Sequence, residues 1–217
     1  MNEEKEYYAL TKKAFDVLAP FYDAVTFPIA RVRERVVDFT SAGQGSTVMD
    51  VATGTGRQAF AFAKRGYDVT GVDLTESMLA VARKNNKNGL VKFEAADATH
   101  LRFAENCFDV SCISFSLHDM PLAIRERVLK EMVRVTKPNG MIVIVDYALP
   151  RSRIGRSLVY RLVSLYEGEY YQQFIASDLE GILAKVGIEG KEELSVLRGA
   201  GRILKGTKMA EHSNYLK

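Results

Sequence analysis

The feature of this sequence that most restricts its fold is an alternation of short Val/Ile-rich runs with longer runs of helical periodicity. Five runs have strand character: STVMDV, YDVTGVD, LVKFEAA, CFDVSCISF and GMIVIVDY. Helical spacing of apolar residues occupies 57–64, 76–84 and 122–135. Because such alternation produces right-handed βαβ units, it predicts an α/β fold with a largely parallel sheet.

The two ends of the chain depart from this central pattern. Helical spacing over 8–18 and 27–39 predicts N-terminal helices ahead of the sheet. Ser177 and Glu180 predict a capping box for a helix that ends at Gly187. KEELSVLRG and AGRILKGTK predict an antiparallel pair at the sheet edge. We therefore expect one domain over 1–217, with N-terminal helices (1–44), a ligand-binding core (45–148), helices that cover the substrate (149–190) and terminal strands (191–217).

Charge and composition exclude several classes of protein. Thirty Lys and Arg against 27 Asp and Glu leave a formal net charge of +3, too balanced for the basic face that nucleic-acid phosphates require. No apolar stretch reaches the roughly 18 residues of a membrane helix, and the first residues lack the apolar centre of a signal peptide. We therefore expect a cytoplasmic protein without a nucleic-acid partner. The spacing of Cys107 and Cys112 fits neither a redox pair nor a zinc site, so both are expected to be buried and no metal is expected.

A glycine-rich turn directly follows the first predicted strand. Gly54, Gly56 and Ala59 satisfy G-x-G-x-x-A, in which the glycines permit a tight turn and close approach of a ligand to a helix N-terminus. Asp50 lies just before the turn, where its charge would repel the pyrophosphate of NAD. A cationic or zwitterionic ligand without phosphate suits this carboxylate better. S-adenosylmethionine (SAM), which carries a sulfonium and an ammonium, is such a ligand.

Two further acids follow the next two predicted strands. Asp73 ends the second strand and is placed for hydrogen bonds to the two hydroxyls of a ribose. Asp97 follows the third strand and could accept a hydrogen bond from an adenine amino group. Together with Asp50 they would lie at the carboxyl ends of neighbouring strands, where open α/β sheets bind ligands. The alternative is that Asp is frequent in such loops because it caps helices and favours turns.

Longer stretches of the chain resemble a known family. The motifs DVATGTG, GVDLTESMLAVAR, EAADATHLRFAENCFDVSCISFSLHDMP and LKEMVRVTKPNGMIVIVDY resemble those of class I SAM-dependent methyltransferases, and more narrowly of the ubiquinone/menaquinone C-methyltransferase-like group. LAPFYDAVTF is similar to that group's N-terminal helix and YD element. The resemblance runs over about 15–147. It implies a Rossmann-like seven-stranded sheet, mostly parallel with an antiparallel last strand, and helices on both faces. It also implies SAM as cofactor and a small or lipid-like methyl acceptor, such as a quinone-type ring.

The resemblance further implies a set of cofactor-binding residues. It places Tyr22, Ala52, Thr53, Gly54, Gly56 and Ser114 around the methionine part of SAM, Asp73 and Leu74 at the ribose, Met78 on one adenine face, and Asp97 and Ala98 at the adenine edge. Asp50 joins this set because its negative charge favours a cationic ligand, not through the resemblance. Quinone methyltransferases resemble SFGLRN where this chain reads SFSLHD, so His118-Asp119 replaces an Arg-Asn pair on the substrate side.

His118 is the candidate for catalysis, with Asp119 beside it. An acceptor oxygen or carbon must lose a proton, and a side chain with a pKa near the working pH accelerates that step. Since His118 follows the fourth predicted strand, we expect it to act as a general base or to orient the substrate. The alternative is that Asp119 caps a helix beginning near Pro121 while His118 only fills the loop. His100 and His212 show no partner pattern and are expected to be exposed.

The segment 149–190 holds two further patterns. Tyr166, Tyr170, Tyr171 and Phe174 form an aromatic cluster that either packs a covering helix or lines the acceptor pocket. Arg151, Arg153, Arg156 and Arg161 are interleaved with Ile154, Leu158, Leu162 and Leu165. This pattern fits a buried covering helix with solvated arginines better than a helix that rests on an anionic membrane. Peripheral membrane contact and a homodimer are both compatible with the sequence.

Three other functions are compatible with parts of the sequence. Bacterial phospholipid N-methyltransferases share a similar LAPFYD start and an arginine-rich helix, here 30–37, so methylation of a phospholipid amine competes with methylation of a ring. A SAM-binding regulator without turnover would carry the same binding motifs. An NAD-binding oxidoreductase is a more distant third.

Overall fold

The computed structural model describes residues 3–165 and 167–209, which form a seven-stranded sheet and its surrounding helices. The strands are β1 (Thr47–Val51), β2 (Asp68–Asp73), β3 (Val91–Ala95), β4 (Phe108–Ser114), β5 (Thr136–Tyr147), β6 (Ile188–Val196) and β7 (Gly201–Lys208). Their order in the sheet is β3-β2-β1-β4-β5-β7-β6. The five strand runs predicted from the central sequence are all present.

Helices cover both faces of this sheet. They are α1 (Glu3–Leu18), α2 (Tyr22–Val25), α3 (Ala30–Thr40), α4 (Arg57–Ala63), α5 (Glu76–Asn85), α6 (Leu122–Val135), α7 (Arg153–Val163), α8 (Glu169–Ala176) and α9 (Leu179–Lys185). Short 3₁₀ helices occupy Phe27–Ile29, Leu117–Asp119 and Leu197–Gly199. Within β4, Val110 and Cys112 pack in one core cluster with α3 and α4, whereas Ile113 packs in a second cluster with α6. The prediction of a Rossmann-like α/β fold with helices on both faces is confirmed.

The direction of the sheet order reverses between β1 and β4. Strand β1 pairs in parallel with β2 on one side and with β4 on the other, and β4 continues in parallel to β5. The connections that leave β1 and β4 therefore run in opposite directions and open a crevice at the carboxyl ends of the two strands. Open α/β sheets bind their ligands at this place.

The two terminal strands form the antiparallel pair that the sequence predicts. Strand β7 is antiparallel to β5 and to β6, and β6 is the edge strand. Strand β6 begins at Ile188 rather than at 191. Gly187, with φ of +89°, turns the chain directly from the end of α9 into the sheet.

The cap of α9 is Asp178, and the prediction of Ser177 at that position is wrong. The carboxylate of Asp178 accepts a hydrogen bond from the backbone N–H of Gly181 at 2.9 Å. The hydroxyl of Ser177 instead donates to the carbonyl oxygen of Phe174 at 2.6 Å, at the end of α8. Ser and Asp are both good N-cap residues and are adjacent here, so the predicted cap is one residue too early.

The sequence favours a covering helix over 151–165 whose main apolar stripe is buried. This expectation is wrong, because the stripe of α7 faces away from the protein. Ile154 is 85% exposed, Leu158 57%, Leu162 52% and Leu165 82%. The side of the helix that packs inwards carries Val163, which is buried. In the described part of the chain, no helix combines the length and the apolar character needed to cross a bilayer.

Candidate active site

The turn after β1 is held in a strained backbone conformation. Ala52 has φ of +52°, which is rare for a residue with a side chain, and Gly54 and Gly56 have φ of +54° and +78°. The backbone N–H of Thr53 donates to the carbonyl oxygen of Val72 on β2 at 2.9 Å. Non-glycine residues in this region persist where the surrounding structure fixes them, which is frequent at functional sites. The local conformation is therefore that of a ligand-binding turn.

Gly56 is required by packing as well as by its backbone conformation. It precedes the first residue of α4, and a Cβ atom built on it would lie 2.6 Å from Cζ of Phe93 on β3. Gly54 has more room, since its nearest neighbour would be a ring carbon of Tyr22 at 3.8 Å. The two glycines thus have different functions: Gly54 borders open space next to Tyr22, and Gly56 lets α4 approach the sheet.

Asp50 is a buried carboxylate at the end of β1. Its side chain is almost fully inaccessible, and its carboxylate accepts a hydrogen bond from the hydroxyl of Thr53 at 2.5 Å. Burial raises the pKa of Asp50 to about 7. A carboxylate with such a pKa gains free energy when a cation binds beside it.

Asp73 and Asp97 hold the turns that follow β2 and β3. The carboxylate of Asp73 accepts from the backbone N–H of Gly54 and of Thr75, each at 2.8 Å. Asp97 accepts from the backbone N–H of Thr99 at 2.8 Å and from its hydroxyl at 2.7 Å. Both acids therefore have the turn-forming role that the sequence left as an alternative. Each carboxylate oxygen can accept a second hydrogen bond, so this role is compatible with ligand binding.

A cleft opens beside the glycine turn, between β1, β4 and the N-terminal helices. Its empty volume is about 490 Å³. Six of the predicted site residues line it, namely Tyr22, Asp50, Ala52, Thr53, Gly54 and Ser114. The other cofactor positions lie along the neighbouring strand ends and α5: Gly56, Asp73, Leu74, Met78, Asp97 and Ala98. Of these, Met78 is buried and Leu74, Asp97 and Ala98 are partly buried.

Sequence reasoning missed two charged residues, one that contacts the lining of the cleft and one that belongs to it. Asp23, on α2, accepts a hydrogen bond from the hydroxyl of Thr55 at 2.6 Å and forms an ion pair with Arg57. It thereby fastens α2 and its Tyr22 to the glycine turn. Arg33 lines the cleft from α3 and donates to the hydroxyl of Thr26 at 3.0 Å. The position of Asp23 next to Tyr22 was the available signal, whereas Arg33 is one of several arginines in its helix.

His118 lies in a buried cluster of charged groups after β4. Its Nδ1 is 2.7 Å from a carboxylate oxygen of Asp146 on β5, and its backbone N–H donates to the other oxygen at 3.2 Å. Its Nε2 is 3.4 Å from the carboxylate of Glu167, which accepts a hydrogen bond from the hydroxyl of Tyr147 at 3.0 Å. Asp146 and His118 are 1% and 5% exposed. These partners could not be predicted, because Asp146 is the one acid in the otherwise apolar end of a strand run and Glu167 lies in a distant segment.

The charge of His118 follows from these neighbours. Burial alone would lower the pKa of His118, but the two carboxylates of Asp146 and Glu167 outweigh burial and raise the pKa to about 10. The side chain is therefore an imidazolium at neutral pH. Burial raises the pKa of Asp119 to about 6. The cluster thus places a fixed cation beside a carboxyl group that titrates close to neutral pH.

The alternative in which Asp119 caps the next helix is wrong. Helix α6 begins at Leu122 with Pro121 as its cap, and no side chain in the described part of the chain caps it. Asp119 instead ends the 3₁₀ helix that carries His118.

Aromatic rings connect the His118 cluster to the cleft. The ring of Phe115, which lines the cleft, is 5.5 Å from that of Tyr147, and Tyr147 is 4.7 Å from the ring of His118. Tyr171 and Phe174, from the predicted aromatic cluster, are buried on the far side, with ring distances of 5.4 Å to Tyr147 and 6.4 Å to His118. They pack α8 against the cluster, as one of the two interpretations of these aromatic residues predicts, and the lining of an acceptor pocket stays a prediction.

The two cysteines and His100 do not line the cleft. Cys112 is buried as expected, whereas Cys107 is partly exposed. His100 is exposed. Tyr166 and His212 lie outside the described residues.

Comparison with known proteins agrees with this geometry. The family model of the methyltransferase domain matches residues 49–144. A demethylmenaquinone methyltransferase of Thermus thermophilus is 35% identical over 157 residues, which cover 68% of this chain and 70% of that protein. The chain belongs to the class I SAM-dependent methyltransferases, in the ubiquinone/menaquinone C-methyltransferase-like group. A demethylmenaquinone methyltransferase of Paenarthrobacter aurescens is 35% identical over 177 residues, which cover 79% of this chain and 64% of that protein. The chain spans 58–64% of the length of three of the curated relatives it matches.

A structural relative shares the fold of this methyltransferase. The phosphoethanolamine N-methyltransferase 2 of Haemonchus contortus, solved with SAM, has a TM-score of 0.66 at 18% identity. The match covers 82% of this chain and 52% of that protein. At this identity the similarity describes the fold alone.

The residues of the cleft fit SAM. The methionine part of SAM is a zwitterion, and the cleft offers a buried carboxylate in Asp50 and a guanidinium in Arg33. The left-handed glycine Gly54 lines the cleft and has no side chain, so a ligand can approach its backbone closely. A pyrophosphate would meet the carboxylate of Asp50 at the same place, as the sequence predicted.

Proposed function

We propose that this chain transfers a methyl group from SAM to a ring carbon of a quinone-type acceptor in its reduced, quinol form. The support is the buried His118–Asp146 pair one aromatic ring away from a SAM-compatible cleft, together with relatives named for demethylmenaquinone methylation. A quinone ring is electron-poor, whereas an ionised quinol is electron-rich at carbon. The reduced form is therefore the one that can act as a carbon nucleophile.

The chain's own residues are assigned separate tasks in this proposal. Bound SAM would supply a methyl group on a sulfonium, a leaving group that needs no acid catalysis. Asp50 and Arg33 would hold its amino-acid end, and Tyr22 would close over it. The protein then has to position the acceptor, exclude water and remove protons.

The pKa values of the cluster favour His118 as an orienting cation and Asp119 as the base. An imidazolium with a pKa of about 10 cannot accept a proton at neutral pH, but it can stabilise the ionised quinol oxygen. Asp119, with a pKa of about 6, is mostly ionised at neutral pH and can accept the quinol proton. As the ring carbon bonds to the methyl carbon, the sulfur–methyl bond breaks, and the displaced ring proton leaves to water.

The basic experiment follows the label from isotopically labelled SAM. The purified chain is mixed with a quinol that lacks its lipid tail, and the product is analysed by mass spectrometry for a gain of one CH₂. Label in a phospholipid amine instead would support the competing N-methyltransferase. Label in neither would leave SAM binding without turnover and contradict the proposal.

Variants separate the proposed roles. Asp119→Asn should lower kcat by about 10²–10⁴ with unchanged SAM affinity. His118→Lys, which keeps a cation, should retain more activity than His118→Gln, whereas a His118 base would give no such rescue. Asp146 acts through His118 and is a positioning residue. The pH profile of kcat should be bell-shaped between about pH 6 and pH 10, and Asp146→Asn should move only the upper limb towards neutral pH.

The proposal also includes contact with a membrane, because a quinone with a lipid tail resides in a bilayer. The covering role of residues 149–190 is part of the same proposal and is assigned to α8 and to the inward side of α7, which carries Val163. A homodimer and the absence of a nucleic-acid partner stay predictions from the sequence.

A further inference from the structure

The outer side of α7 carries a continuous apolar stripe. Ile154, Leu158 and Leu162 follow one another at intervals of four residues, so they share one side of the helix, and Leu165 lies in the turn directly after it. All four are more than half exposed, whereas Val163 on the opposite side is buried against the domain. The stripe is therefore not the side that packs α7 onto the protein.

The charged residues of this segment are all positive. Arg151, Arg153, Arg156 and Arg161 are all exposed, and the sequence of 151–165 contains no Asp or Glu. Within the described residues, none of the four arginines forms an ion pair with a carboxylate. Arg161 stands three residues after Leu158, beside the stripe, and Arg151 directly precedes the helix. The helix thus presents aliphatic side chains next to unneutralised guanidinium groups, which is the pattern of a helix that lies in a membrane interface.

We propose that α7 docks flat on an anionic phospholipid bilayer. The aliphatic stripe would enter the boundary between headgroups and acyl chains, and the arginines would contact lipid phosphates. A second copy of this chain fits the surface less well. In a two-fold interface the same helix would face itself and bring eight guanidinium groups together without a carboxylate.

Helix α1 also exposes apolar side chains and can be compared with α7. Leu10 and Val17 on α1 are 60% and 72% exposed. Helix α1, however, carries acids and bases in nearly equal number: Glu3, Glu4, Glu6 and Asp16 against Lys5, Lys12 and Lys13. Because α1 exposes apolar side chains without the uniform positive charge of α7, it offers a control for α7.

Docking through α7 would place the His118 cluster close to the bilayer. The ring of Tyr160 on α7 is 6.2 Å from that of Tyr171, which is 5.4 Å from Tyr147 in the cluster. The delivery of a lipid-soluble acceptor from the membrane to this cluster rests on the proposed function. The binding of α7 to lipid does not.

The test is co-sedimentation of the full chain with vesicles of phosphatidylcholine, alone or mixed with phosphatidylglycerol. The wild type should bind the mixed vesicles strongly and the neutral ones weakly. Arg151→Gln/Arg161→Gln should weaken binding about 25-fold, since each basic residue contributes about a factor of five. Ile154→Gln/Leu158→Gln should weaken it by at least about tenfold. All four positions are exposed, so the variants should keep the wild-type melting temperature.

Leu10→Gln/Val17→Gln should bind like the wild type. Equal binding of the α7 variants and the wild type to mixed vesicles would overturn the proposal. So would loss of a dimer, rather than of vesicle binding, in sedimentation velocity of the α7 variants. Methyl transfer to a tail-free quinol without vesicles should be unchanged in the α7 variants. If the wild type binds vesicles but transfers no methyl group, only the proposed function fails.

Discussion

Replacing Asp50 by Asn should stabilise the free protein at alkaline pH. Burial raises the pKa of Asp50 from 3.8 to about 7, so between these pH values the folded state holds a proton that the unfolded state has lost. The free energy of unfolding therefore falls as the pH rises through this window. A difference of about three pKa units corresponds to about 4 kcal/mol at pH above 7. The unpaired NH₂ of Asn costs about 1–3 kcal/mol, which leaves a net gain of about 1–3 kcal/mol at about pH 8 and a net loss of about 1–3 kcal/mol near pH 4.

The same substitution should weaken SAM binding. A cationic ligand prefers the ionised form of Asp50, so the affinity of the wild type should fall about tenfold per pH unit below about pH 7. Asn cannot ionise, and its profile should be flat. At about pH 8 the loss of a charge-assisted hydrogen bond should cost about 1.5–3 kcal/mol, or a tenfold to hundredfold weaker binding.

Calorimetric titration with SAM and thermal unfolding, each at several pH values, measure the two opposite effects. Arg33→Gln is the matched control, because Arg33 lines the same cleft but does not titrate in this range. It should weaken SAM binding and retain the pH dependence of the wild type. If Asp50→Asn shows the wild-type pH dependence of SAM affinity, the electrostatic account of the cleft is wrong.

Two further substitutions test the turn and its fastening. Gly56→Ala should destabilise the protein by about 2–5 kcal/mol in denaturant titration, from its left-handed backbone and the contact with Phe93. Asp23→Asn should weaken SAM binding about fivefold, with kcat little changed, because the substitution loosens α2 from Thr55 and Arg57. The side chains of Asp23 and Arg57 are partly exposed, which limits the loss of binding free energy to about 1 kcal/mol.

Each of these substitutions has a control elsewhere in the chain. Gly45 also has a left-handed φ, of +82°, but nothing lies within 4 Å of a Cβ at that position. Gly45→Ala should therefore cost only about 1–2 kcal/mol, and an equal cost at both glycines would rule out the Phe93 contact. Asp38 forms an ion pair with Arg65 away from the cleft. If Asp38→Asn weakens SAM binding as much as Asp23→Asn does, the fastening role of Asp23 is wrong.

The strand ends could be predicted from the sequence, but the His118 cluster could not. Asp50 and Asp73 stand inside or at the end of strand-like runs, so their position at one edge of the sheet follows from local periodicity. The partners of His118 come from distant segments: Asp146 is 28 residues away, and Glu167 precedes α8. No local pattern reports which carboxylates fold onto a histidine. Sequence reasoning could therefore propose His118 as a base, whereas its raised pKa depends on tertiary contacts.

Helix α7 shows a second limit of prediction from sequence, which concerns the direction that a side of a helix faces rather than contacts between distant segments. Helical spacing identifies an apolar stripe, but not whether the stripe faces the protein or its surroundings. In α7 the residues Val159 and Val163 form a second, smaller apolar side, and this is the side that packs inwards. The larger stripe faces outwards because the domain core is already filled by residues of the sheet and of α6 and α8. Exposed aliphatic stripes of this size indicate a partner, and the arginines near this one support the anionic surface proposed above.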